Sequence, residues 1–370
     1  MSFLKLEQPK KIQRYEKLGY LSNPFPMRGK VAVEVYVERP ELSRLQQELS
    51  NFLVANKDSG GFWVLEADRG IGKSNFLQHL DWELKQAQND LLTTKIVSKY
   101  ISSVISPRDL VKKLVITIGE ERFKDFLEQR ISLPDSLKGT DLWRFFESKT
   151  IKQKGIHLIE NPHAQFLMKW LMGNTTLAKE REPYQIWSKE RVPPAVAFPY
   201  LKTIIAGMKE QNIIDKVILL IDEFEDIQQL DRKEKTEFIQ TFKNMLNCFN
   251  WDTLFVIVAG QEGSFVTIGS QYTSLADRWQ RVSLKPIESS TQAVQLAQAY
   301  MGYAHRIYCI EHSKKESKIT QLRPTEQEIK LIYADLDKSV KTQRDLLDKL
   351  YQSIESNLDD KTNGTFKERS

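Results

Sequence analysis

The segment Phe62 to Leu65, followed at once by Ala67-Asp68-Arg69-Gly70-Ile71-Gly72-Lys73-Ser74, restricts the fold of this chain more than any other feature. A short apolar run with glycines before it and a glycine-rich turn after it reads as a strand buried on both faces. The turn fits the phosphate-loop pattern GxxxxGK[ST] except for alanine in its first position. That chemistry needs these residue types. Glycines let successive backbone amides curl around a phosphate, and a following helix adds the positive end of its dipole. The lysine then reaches the β- and γ-phosphates while the serine hydroxyl binds magnesium. A chance Gly-Lys-Ser at a helix start needs no strand before it. Gly70, Ile71, Gly72, Lys73, Ser74 and Asn75 are therefore expected to hold a nucleotide, with ATP and Mg2+ as cofactors and Ser74 on the metal. Ala67 should be tolerated if its φ is negative, because Gly70 and Gly72 occupy the tightest positions.

A second feature completes the first. Val217 to Ile221 is a run of five aliphatic residues that ends in Asp222-Glu223. An aspartate at the carboxyl end of such a strand can hold magnesium, and the adjacent glutamate can orient the attacking water. Acids also end strands as ordinary helix caps, and Glu225 and Asp226 read as a solvated turn. Further strands are expected at Thr94 to Ile101 and Thr253 to Ala259, with nothing convincing beyond Val282 to Leu284. Helices are expected at Pro40 to Val54, Lys73 to Gln88, Pro107 to Ile118, Tyr200 to Gln211 and Lys233 to Cys248. Ser106 caps the third, with proline at its first position. Strands alternating with helices imply an α/β fold with a parallel sheet covered on both faces.

The separation of Lys73 from Asp222 exceeds what a crossover needs, so residues 120–199 are expected to form a large helical insertion with its own task. Its aromatics Trp143, Phe145, Phe146, Phe166, Trp170, Trp187 and Phe198 stand among lysines and arginines; they read as core or protein-docking residues ahead of a base-stacking surface. The expected organisation is an N-terminal arm over 1–40 and a nucleotide-binding core over 41–288. A C-terminal helical lid over 289–355 and a polar tail over 356–370 follow.

Composition narrows the class without naming a partner. The chain has 370 residues, 41% hydrophobic and 28% charged, with 16 glycines and 13 prolines. These values exclude a disordered, collagen-like or low-complexity polymer. No apolar run approaches the roughly 20 residues that span a bilayer, and the charged start lacks a secretory apolar stretch, so a cytoplasmic protein without membrane contact is expected. Lys and Arg number 54 against 49 Asp and Glu, a net +5 that does not by itself argue for nucleic acid. The two cysteines, Cys248 and Cys309, have no metal-ligand spacing.

The phosphate loop, LLIDEFEDI, the following strand FVIVAGQEGSF, LADRWQRVSLKPI and a helical C-terminal region together resemble an AAA+ ATPase of the P-loop NTPase fold. The resemblance is nearest to the initiator-like clade of origin-recognition ATPases, transposition regulators and ORC-like ATP-binding proteins of phage defence. LGYLSNPFP with the following ERPEL resembles that clade's N-terminal segment, which carries adenine-side contacts. The resemblance implies Glu223 and Gln261 as catalytic residues, with Gln261 in the sensor 1 place usually held by Asn or Thr. It implies Asp222 as a metal ligand. Arg278, with Arg281 as second choice, falls where an arginine finger would act on a neighbouring subunit. Lys341-Thr342-Gln343-Arg344 stands where sensor 2 is supplied; of its Gly-x-Pro-Arg turn only Arg344 survives.

What the resemblance implies is Mg-dependent ATP hydrolysis by a homo-oligomer, working as a regulated motor or matchmaker in DNA transactions or mobile-element defence. An alternative is a slow nucleotide-operated switch or scaffold that docks a partner effector protein. The winged-helix domain of origin-binding relatives is not expected after the lid, which weakens sequence-specific duplex binding and leaves DNA open as a partner.

Overall fold

The computed structural model describes residues 15–16, 18–28, 30–54, 60–90, 95–128, 133–148, 162–186, 190–249, 252–312, 324–336 and 341–362. Trp187, Thr94, much of the expected arm and the end of the expected tail lie outside them. In chain order the main elements begin with α1 (Ser43–Val54), β1 (Phe62–Glu66), α2 (Lys73–Asp90), β2 (Ile96–Ile101) and α3 (Pro107–Ile118). Then come α4 (Glu120–Glu128), α5 (Asp141–Glu147), α6 (Pro162–Leu171), α7 (Pro194–Glu210), β3 (Lys216–Ile221) and α8 (Arg232–Cys248). The chain continues through β4 (Leu254–Gly260), α9 (Ser264–Gln271), β5 (Gln280–Ser283), α10 (Ser290–Glu311), α11 (Glu326–Ala334) and α12 (Gln343–Thr362). No helix among the described residues is long and apolar enough to cross a membrane.

The chain divides into two compact units. One comprises residues 43–66 and 83–282; the other gathers 1–42, 67–82 and 283–370. These limits differ from the expected core of 41–288 and lid of 289–355, because the phosphate loop shares its hydrogen bonds with the N- and C-terminal segments, as described below.

The larger unit is built on a five-stranded sheet of order β2-β3-β4-β1-β5, in which β2/β3, β3/β4 and β4/β1 pair in parallel. Every residue of β1, β3 and β4 is buried, as expected of strands covered on both faces. Parallel register aligns Glu66 with Gly260 and Ile221 with Val258, so β1, β3 and β4 end on one edge of the sheet. Ser106 caps α3 by accepting the Asp109 N–H at 3.1 Å. β5, four residues long, overlaps the short segment singled out at Val282 to Leu284 and begins two residues earlier, at Gln280; a run of QRVS with one buried residue carries no strong period that would mark its start. α7 begins six residues before the expected Tyr200, at Pro194, with Pro193 as its N-cap and Pro199 inside its first turns.

Within 120–199, the described aromatics other than Trp143 share the core of the sheet. Phe123, Phe126, Phe145, Phe166, Trp170 and Phe198 are buried in the same core as Val64, Val217 and Val256 of the sheet. Phe145 stacks on Tyr184 at 5.0 Å between ring centres, and Phe166 on Tyr184 at 4.3 Å. Burial of aromatic area, the largest per residue, explains why this region joins the core. Trp143 and Phe146 are half-buried, and Lys138 Nζ stands 5.9 Å from the Trp143 ring.

The smaller unit has its own core, in which Tyr20, Phe25 and Val35 of the N-terminal segment pack with Tyr300 of α10, Ile329 of α11 and Leu350 of α12. The expected arm over 1–40 is thus, where described, a packed segment. Polar ties hold it: Tyr15 donates to the Glu355 carboxylate, and Asn23 Nδ2 donates to the same carboxylate at 2.9 Å and to the Tyr351 carbonyl at 3.0 Å.

Candidate functional site: a phosphate loop and a carboxylate-bearing sheet edge

The loop leaves β1 at its carboxyl end and opens α2 at Lys73. Gly70 and Gly72 take φ of +83° and +114°, the left-handed region that glycine enters without steric cost. Ala67 is not among the described residues with positive φ, so its methyl group is accommodated. A Cβ on Gly70 would stand 3.0 Å from Thr342 Oγ1, and one on Gly72 would run into Gln343. Gly70 therefore requires glycine for backbone angle and for close approach, and Gly72 for its backbone angle. Lys73 is buried, and its ammonium donates to the Ala67 carbonyl at 2.5 Å and the Asp68 carbonyl at 3.1 Å. The loop's own carbonyls thus hold the lysine against the peptide chain. Ser74, half-buried, follows it in the first turn of α2.

Two residues that the sequence did not single out, Arg39 and His79, complete this region beside expected ones. Arg39 Nη2 donates to the Ile71 carbonyl at 2.8 Å and to Gln343 Oε1 at 3.3 Å, while Nη1 donates to the Lys285 carbonyl at 2.8 Å. The Arg344 N–H donates to the Gly70 carbonyl at 3.0 Å, which lays the 342–344 turn on the loop. The Arg344 side chain, the one expected to act here, is exposed. Asn75, expected at the phosphates, donates its amide to the carbonyls of Ala32 at 3.3 Å and Val35 at 3.5 Å. His79, one helical turn further, meets the Val33 carbonyl at 2.6 Å and stacks between Tyr36 and Trp82 at 5.0 and 5.8 Å.

In the larger unit, the sheet edge gathers the other expected residues. Asp222 is 2% exposed; its Oδ2 accepts the Tyr100 hydroxyl at 2.9 Å and its Oδ1 accepts the Glu223 N–H at 3.0 Å. Each oxygen keeps a lone pair for a further partner. Glu223 takes φ 49° and ψ 38°, a left-handed conformation rare for a non-glycine residue, and its side chain is exposed. Gln261 follows β4 and is half-buried. Glu225 overturns its reading as a solvated acid: Oε2 is buried without a hydrogen-bond partner, because the turn over Phe224–Gln229 folds it back toward Gly260.

The two arginines differ. Arg278 is exposed and donates to the Asn247 side-chain carbonyl. Arg281 lies 3.3 Å from Glu66 Oε1 and is thereby paired within its own chain. Burial pushes the Glu66 carboxyl above its ordinary value, against the opposing pull of Arg281; Glu262 adds to the rise and the Phe265 N–H reduces it. Among the described residues no group of three or more His, Cys, Asp or Glu is placed to hold a metal ion.

No family model matches the sequence, and no curated protein matches it. Solved structures with a related course of chain include a chain of Drosophila ORC bound to DNA, at 11% identity and a TM-score of 0.46. A Walker-type ATPase of Pyrococcus abyssi follows at 15% and 0.44, covering 92% of this chain and 76% of that one. The ORC2 protein of Aeropyrum pernix in ADPNP-ADP complexes stands at 10% and 0.43, covering 90% and 72%. The Drosophila match takes in 98% of this chain but 64% of the other, so this chain spans less than two thirds of that protein's length.

Proposed function

We propose that the chain is an ATP-binding and ATP-hydrolysing protein of the AAA+ type. The observation that carries this reading is the loop itself, which follows a buried parallel strand, takes positive φ at both glycines and opens a long helix at Lys73. A loop of that shape presents backbone N–H groups to an anion, and its residues fit a triphosphate. Lys73 would exchange the carbonyls of Ala67 and Asp68 for phosphate oxygens. Ser74 and Asp222 are assigned to magnesium, Glu223 and Gln261 to positioning water, and Arg344 and Arg278 to phosphate charge. Bound ATP would supply the phosphoryl bond, and a magnesium ion held by Ser74 and Asp222 would lower the charge on it.

Titration calorimetry with ATP and magnesium, paired with phosphate release, tests the reading. Binding by the wild type and its loss in Lys73→Ala support it; unchanged binding in Lys73→Ala refutes it. The larger role we assign is that of an oligomeric motor or matchmaker in DNA transactions or mobile-element defence, which rests on the sequence resemblance.

One observation favours a second reading. Thr342 and Gln343 sit against the loop glycines, so nucleotide exchange would have to work against that turn. Slow turnover by a switch or scaffold that docks a partner effector follows naturally. Turnover with and without DNA, and mass in solution with and without nucleotide, separate the two. A DNA-stimulated rate with nucleotide-dependent assembly supports the motor, and slow, DNA-indifferent turnover supports the switch.

A further inference from the structure

A loop that turns its N–H groups toward an anion must turn carbonyls the other way, and those carbonyls need donors. At Ile71 the donor is Arg39. Its planar fork also reaches the Lys285 carbonyl and Gln343 Oε1, and it lies 3.6 Å from Glu41, which keeps the guanidinium oriented. The side chain is 18% exposed, so these bonds are partly shielded from water. One cation thus joins three distant stretches of the same compact unit: the phosphate loop, the start of the C-terminal segment, and the turn that opens α12. Lysine, with a single ammonium, cannot reproduce that fork.

We propose that Arg39 is a positioning residue that holds the phosphate loop in its anion-ready form and couples its occupancy to the 342–344 turn. This inference rests on the nucleotide reading above and specifies how that site is regulated. Arg39 binds the back of the loop through Ile71, and Gln343 packs over Gly72 from the same guanidinium. A shift of the loop on binding phosphate is therefore felt by Gln343 through Arg39. The next residue's N–H, that of Arg344, is already bonded to Gly70 and reports the contact.

The test compares wild type, Arg39→Ala, Arg39→Lys, Gln343→Ala, the Arg39→Ala/Gln343→Ala double variant and Lys73→Ala. The measurements are ADP and ATP affinity, and amide hydrogen exchange in the nucleotide-free protein. Arg39→Ala should weaken binding about tenfold or more, the effect of losing hydrogen bonds from a charged donor. Arg39→Lys should recover less than half of that, and the double variant should bind no worse than Arg39→Ala alone. Exchange at the Arg344 amide should quicken in Arg39→Ala and Arg39→Lys while the amides of β3 and β4 stay protected; a purely structural loss would quicken them together. If Arg39→Ala fails to fold, Arg39→Lys and Gln343→Ala carry the same comparison. Wild-type affinity in Arg39→Ala or full rescue by lysine overturns the inference. So do additive effects in the double variant. Loss of binding in Lys73→Ala would leave the nucleotide reading standing in each of those cases. A wild type that binds no nucleotide, or a Lys73→Ala that binds as tightly, overturns both.

Discussion

Lys73 and Glu223 illustrate how differently two single residues can fail. Lys73 already donates to loop carbonyls, so Lys73→Ala should remove nucleotide affinity while barely altering the fold. Glu223→Gln should keep binding and slow phosphate release on the order of a hundredfold or more, since only the carboxylate that orients water is lost. The backbone of Glu223 adds a second expectation. Its left-handed conformation costs about 1 kcal/mol that glycine would not incur, so Glu223→Gly should raise the melting temperature while abolishing hydrolysis. An unchanged or lower melting temperature would show that the conformation carries no strain. Glu66 offers a test by pH. Its carboxyl is raised in the folded state, so the folded protein binds that proton more tightly than the unfolded chain. The corresponding stability is full at low pH and declines as pH rises from about 4.5 through the folded value. Glu66→Gln should flatten that decline in melting temperature between pH 4.5 and 7, and an identical slope in both proteins would refute the assignment.

At the scale of elements, what was legible depended on how local the cause was. α3 could be read with its N-cap because Ser106, Pro107 and the apolar period all lie within one short stretch. β3 and β4 were legible because burial on both faces leaves unbroken aliphatic runs, displaced by one residue at their ends. β5 was legible only in its second half, at Val282 to Leu284, since four residues with one buried side chain leave no period to mark its start. The phosphate loop was legible as a motif, whereas Arg39 is one of 54 Lys and Arg residues and acts on backbone carbonyls, which leave no side-chain pattern to find. The 120–199 stretch showed its helices but not their destination, because aromatic composition does not distinguish a docking face from a core. The core placement predicts that Phe145→Ala lowers stability by about 3–5 kcal/mol and shifts the same cooperative transition that the sheet strands report. A variant in which the sheet melts at the wild-type midpoint would restore the separate module.

At the scale of the whole molecule, Arg278 is exposed and bonds the side chain of Asn247, and among the described residues it has no ion pair such as the one that holds Arg281. If it serves a neighbouring subunit, mixing Arg278→Ala with Glu223→Gln proteins should restore part of the ATPase rate, because a native arginine can then meet a native carboxylate. A mixed assembly that forms and stays silent would rule out action in trans. The smaller unit has a different consequence. Tyr15 and Asn23 find their partner in Glu355, a separation of 340 residues for the tyrosine bond. On a ribosome adding about 5–20 residues per second, the N-terminal segment emerges on the order of tens of seconds before the helix that covers it. During that wait Tyr20 and Phe25 have no native shelter. Nascent chains stalled before α12 should therefore be captured by chaperones through the segment that carries Tyr20 and Phe25, and release should coincide with the emergence of α12.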